Sequence, residues 1–112
     1  MAVVQQLDRA LRTAIANKRL LRFEYKGSER IAEPHDYGIQ NGKVRLLCWQ
    51  VGGKSKGPLP GWRLVDVDGI HGCEMLDRTF SGNREVSDMH HRWDKIFIRV
   101  APPEGSKVKK VG

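Results

Sequence analysis

The strongest constraint on this chain is a single switch in the period of its apolar residues. Over residues 2–18, Val4, Leu7, Leu11, Ala14 and Ile15 recur at spacings of three and four, which places them on one stripe of a helix. Arg9, Arg12 and Lys18 fall off that stripe, and Asn17, Lys18 and Arg19 close it with a polar, basic turn. Immediately afterwards the period becomes two. Leu21, Phe23 and Tyr25 alternate with Arg22, Glu24 and Lys26, the signature of a half-buried strand. No later stretch returns to a convincing helical period, so the fold must be mainly β behind one leading helix.

Turn chemistry divides the rest into short strands. Lys26, Gly27 and Ser28 form a tight-turn signal, and residues 29–33 return as the hairpin partner. Pro34, lacking an N–H to donate, is expected to stop that ladder. A strand begins again over 37–39, and Asn41-Gly42 is the strongest two-residue hairpin turn in the chain. Residues 43–51 give the longest strand candidate, followed by a Gly/Pro-rich basic loop over 52–61. Strands are expected over 62–67, 70–76 and 95–100, with a polar, turn-rich stretch over 81–94. The expected fold is therefore a small, closed or partly open barrel of five to seven strands with one N-terminal α-helix. The expected organisation is one domain over 1–101, helix 2–18 and barrel 20–100, then a basic, mobile tail over 102–112.

Composition narrows the partners. Twenty Lys and Arg against thirteen Asp and Glu leave a formal charge of +7 among 112 residues, an excess that favours polyanions or phosphorylated ligands. Lys107, Lys109 and Lys110 of the tail supply part of it. No run of about 18 apolar residues exists to cross a membrane as a helix. The first eight residues lack a basic segment followed by an apolar core, so they do not read as a secretory signal. The cytoplasm is the expected compartment, where Cys48 and Cys73 would stay reduced and pack as small hydrophobes.

Four short pieces, in order, resemble the WYL domain, a bacterial module with an Sm-like, SH3-type barrel. Residues 11–15 followed by 18–25 look like its opening helix and first strand. Arg30 to Pro34 look like its Arg-x-x-x-Pro element, Gly42 to Leu46 fall where its Trp-Tyr-Leu triplet belongs, and Trp62 to Val67 take the place of its Phe-Arg-Leu-Asp-Arg-Ile element. About 70 of the 112 residues are covered. The triplet here is Val44-Arg45-Leu46, without either aromatic, and Asp66 replaces the second Arg of the last element. The resemblance implies a ligand groove lined by basic and polar residues, in a family that regulates transcription or nucleic-acid defence. Most members carry a DNA-binding helix-turn-helix; no such module is legible here, so the chain resembles a standalone WYL domain.

The residues expected to meet an anionic ligand are Arg30, Arg45, Arg63, Trp49, Trp62, His35, Lys54, His91 and Arg92. Arg30 and Arg63 rest on the resemblance, and a guanidinium suits phosphate because its planar fork donates two parallel hydrogen bonds. Their alternative role is an ordinary ion pair with Glu33 or Asp66. Strand alternation puts Val44, Leu46 and Cys48 on a core face and Arg45, Leu47 and Trp49 opposite, where Arg45 could pair a phosphate while Trp49 stacks a base. Lys54 sits in the Gly52–Gly57 loop, which lacks the full spacing of a nucleotide-binding loop. His91 and Arg92 belong to a His-His-Arg-Trp-Asp cluster read as a rim or plug of the barrel. Adjacent histidines on an extended chain diverge, so neither a metal nor another cofactor is expected.

No nucleophile, base and orienting group stand at a recognisable spacing, so the expected function is not enzymatic. The leading reading is a regulatory binding module for an anionic ligand, either single-stranded RNA or DNA or a nucleotide-like effector. The alternative is a protein-interaction subunit, a homo-oligomer or the partner of a larger regulatory assembly, with Leu59 and Trp62 as exposed anchors.

Overall fold

The computed structural model describes residues 4–55, 57–84 and 92–103. These residues form one helix, α1 (Gln5–Ala16), and six strands: β1 (Arg19–Tyr25), β2 (Ser28–Gln40), β3 (Lys43–Gly53), β4 (Gly61–Asp66), β5 (Ile70–Thr79) and β6 (Lys95–Arg99). A 3-10 turn over Val67–Gly69 joins β4 to β5. The protein is thus mainly β with one N-terminal helix, as the period switch predicts. The helix is shorter than expected. Lys18 takes a positive φ of 54°, so the chain has left helical geometry before the predicted end at 18.

All strand pairs are antiparallel, in the order β4-β3-β2-β1-β5, with β6 added beside β2. Among the described residues no ladder joins β4 to β5, so the sheet curls without closing. A side chain spans part of the opening instead: the Tyr25 hydroxyl at the end of β1 accepts the Asp66 N–H at the end of β4 (3.0 Å). Both predicted two-residue turns are made, by Lys26-Gly27 and Asn41-Gly42, each with φ near +53° then +77°. Positive φ at both central residues matches the strand twist and explains why Asn-Gly is so strong a signal.

Pro34 does not end its strand. β2 runs through it, pairing Pro34 with Cys48 of β3. On the other edge of β2, β1 pairs up to Ala32 and β6 pairs from Asp36 onward. Pro34 lies in the interval, where no ladder along that edge demands its missing N–H, and His35 beside it is the extra residue of a bulge against β3. Gly38 then lets β6 come close, since a Cβ there would collide with the Lys95 backbone.

Leu7, Leu11, Ala14 and Ile15 of α1 face the core with Leu21, Phe23, Tyr37, Leu46, Cys48, Val65 and Val67. Val4, part of the predicted stripe, is 66% exposed because it precedes the first helical turn. Tyr37 fixes the helix in place by donating its hydroxyl to Asp8 Oδ1 (2.6 Å). No described helix is long and apolar enough to cross a membrane.

Candidate functional site

The predicted site residues divide between the two faces of the sheet. On the core side, Arg30 stands opposite the buried Phe23 of β1, and Arg63 stands opposite the buried Cys48 of β3. Between them comes Gln50, paired with Ala32 of β2 and with Gly61 of β4. Arg30 and Arg63 are therefore diagonal neighbours of one buried amide, at the end of the sheet where β2 and β4 begin and β3 finishes. Their charges converge: burial pushes the Cys48 thiol up to about 12, while Arg30 and Arg63 both pull it back.

Neither guanidinium has a carboxylate within salt-bridge distance among the described residues. The two acids that could have neutralised them are engaged elsewhere, Glu33 by Arg84 and Asp66 by Arg45. Arg30 lies over the Tyr25 ring (5.3 Å to its centroid) and, among the described residues, reaches only the Tyr25 carbonyl, at 3.4 Å. Arg63 organises the loop that leads into β4 by donating to Ser55 Oγ (2.6 Å), the Pro58 carbonyl (3.0 Å) and the Trp62 carbonyl (2.8 Å). Gly61 makes room for this, because a Cβ there would press on the Arg63 guanidinium.

Gln50 is 1% exposed, and its amide is pinned: Nε2 donates to the carbonyls of Gly52 (2.9 Å) and Lys54 (3.1 Å). Carbonyls only accept, so the amino group must face them and Oε1 must face away. Gln50 Oε1 and Arg30 Nε are the two buried side-chain polar atoms without a partner among the described residues. An unmade hydrogen bond in a buried place costs about 1–3 kcal/mol, so this region is polar beyond what the chain itself satisfies. Lys54 is exposed beside it, its N–H donating to the Glu29 carbonyl.

The outer face carries the remaining described candidates. Arg45 is neutralised, with Nε donating to Asp66 Oδ1 (2.8 Å) and Nη1 to Gln40 Oε1 (2.7 Å). It does not meet Trp49, whose partners are the Trp62 ring (5.1 Å, edge to face) and the Arg84 guanidinium (4.8 Å). His35 is buried between Trp62 (4.9 Å) and Phe80 (5.5 Å), a packed residue of the bulge rather than a groove contact. Leu47, expected on the wet side, is only 3% exposed because this face too is covered. Arg92 is exposed outside the strands, and His91 lies outside the described residues.

Two residues escape the sequence reading. Gln50 had a signal: it continues the Leu46, Cys48 alternation, so a polar side chain is due at a core position. Arg84 had none, because its role depends on Glu33, fifty-one positions away. Comparison with family models, with curated proteins and with solved structures returns no match.

Proposed function

We propose that the protein is a non-enzymatic binding module for an anionic ligand, seated at Arg30 and Arg63 around Gln50. The observation that carries this reading is two guanidinium groups on one face, neither balanced by a carboxylate among the described residues. A phosphate suits such a pair because each guanidinium still has unused N–H donors, and because Ser55 Oγ and Lys54 flank the same end of the sheet. The formal charge of +7 adds a field that draws anions in. The order of WYL-like elements agrees, since Arg30 and Arg63 are the residues that resemblance assigns to its groove. On this reading the chain is a WYL-type regulatory module of the cytoplasm, and its ligand is single-stranded nucleic acid or a nucleotide-like effector. Arg45 drops out of the site because Asp66 holds it.

Titration with short single-stranded RNA and DNA tests the proposal. Log affinity should fall with log salt at a slope of about −0.7 for each phosphate neutralised. Arg30→Gln should weaken binding and flatten that slope, while Arg45→Gln should leave both within error. Absence of binding at low salt, to oligonucleotides and mononucleotides alike, sinks the reading, as does equal loss in the two variants.

A further inference from the structure

On the outer face, residues 80–84 form a strap over the Trp49–Trp62 pair, and one imidazole holds its end. Phe80 stacks on His35, Asn83 donates its N–H to the Ala101 carbonyl (2.9 Å), and Arg84 reaches Glu33 with both Nε (2.8 Å) and Nη2 (3.0 Å). The Arg84 guanidinium covers one face of Trp49. Its backbone N–H points at His35 Nε2 (3.3 Å), while His35 Nδ1 lies 3.0 Å from the Glu33 carbonyl.

These partners fix the state of the ring. The Glu33 carbonyl can only accept, so Nδ1 carries the hydrogen; the Arg84 N–H can only donate, so Nε2 must be bare. We propose that His35 is a proton-sensitive latch: taking up a second ring proton releases the 80–84 strap at Arg84 and bares the indole face of Trp49.

Protonation would turn Nε2 from an acceptor into a donor facing another donor, and would place a cation at a site 2% exposed. The charged groups around the ring come from β2 and from the strap. Glu33 and Asp36 of β2 favour the cation, and Arg84 of the strap opposes it. Both acids are already paired, Glu33 with Arg84 and Asp36 with Arg99 of β6 (3.0 Å), so little of their charge is left for the imidazole. Burial is the largest influence and holds the His35 pKa below its ordinary 6.5. Opening lets water reach the ring and removes the Arg84 charge, so the proton binds the open form better, which is what a switch requires. The closed strap keeps its full stability above about pH 6.5 and loses it as pH falls through the lowered pKa. Residues 80–84 have no ladder of their own, so opening there need not unravel the sheet.

The test follows the Arg84 amide and the His35 ring by NMR in the full chain between about pH 8 and 5. The Arg84 protection factor should fall with the midpoint of His35 titration, by about tenfold for each pH unit separating the closed and open ring pKa values. Fluorescence of the Trp49–Trp62 pair should change at the same midpoint in a Trp93→Phe background. His35→Phe keeps an aromatic ring but cannot titrate, and should abolish both steps. An Arg84 amide indifferent to pH in the wild-type chain overturns the proposal, and so does a step that survives His35→Phe. If that variant fails to fold, co-titration of Arg84 and His35 in the wild type still decides.

Discussion

Glu33 holds both Nε and Nη2 of Arg84 although fifty-one positions separate them, and the carboxylate is buried while the guanidinium side chain is 45% exposed. The asymmetry sets the cost of breaking the pair. Removing Arg84 leaves a charge in a poor place, whereas removing Glu33 leaves one that water can reach.

Arg84→Met should therefore destabilise more than Glu33→Gln, by about 1–3 kcal/mol against about 1 kcal/mol or less. Urea unfolding with an unchanged m-value reads the difference, and equal losses would show that Glu33 is solvated.

In the Arg45–Asp66 pair the carboxylate is the more exposed partner, with side chains 22% and 38% exposed. A double-mutant cycle with Arg45→Ala and Asp66→Ala should give a coupling of about 0.5–1 kcal/mol. A coupling near zero would return Arg45 to the pool of free cations and to the ligand site.

Gly42 has φ +77° with open space where a Cβ would stand. Gly42→Ala should cost about 1 kcal/mol through backbone strain alone, with no steric penalty added. Thermal unfolding checks this; a larger loss would mean that Asp94 Oδ2, which accepts the Gly42 N–H at 2.9 Å, is displaced as well.

Alkaline pH should weaken the fold through its thiols. Burial raises Cys48 from its ordinary 9.0 to about 12 and Cys73 to about 11. Stability from the neutral thiols is complete below about pH 9 and is lost as pH rises from there toward those values. Cys48→Ala should remove about half of that dependence in urea melts between about pH 8 and 11, and Cys73→Ala most of the rest. At about pH 8, a thiol reagent should modify Cys73 slowly and Cys48 only after unfolding.

Sequence patterns carried the architecture further than the site. Helix, strands and both tight turns follow from local periods and turn residues such as Asn41 and Gly42, which act within a few positions. Pro34 misleads because its tolerance depends on two other strands leaving a gap beside it. The same limit splits the arginines: alternation places Arg45 on an outer face, but only the register with β4 brings Asp66 against it. Arg30 and Arg63 were legible as residues of interest, and alternation marks Gln50 as a polar core position, but that the two arginines flank it emerges only when three strands lie side by side.

The gap beside Pro34 also orders assembly in time. Strands β1 to β4 form a meander of sequential neighbours and can pair as soon as each has been synthesised. The half of β2 beyond Pro34 waits for β6, where Arg99 meets Asp36 across sixty-three positions. Until then that edge offers unpaired N–H and C=O groups to any extended peptide nearby, so a nascent chain is most prone to mispairing before β6 docks.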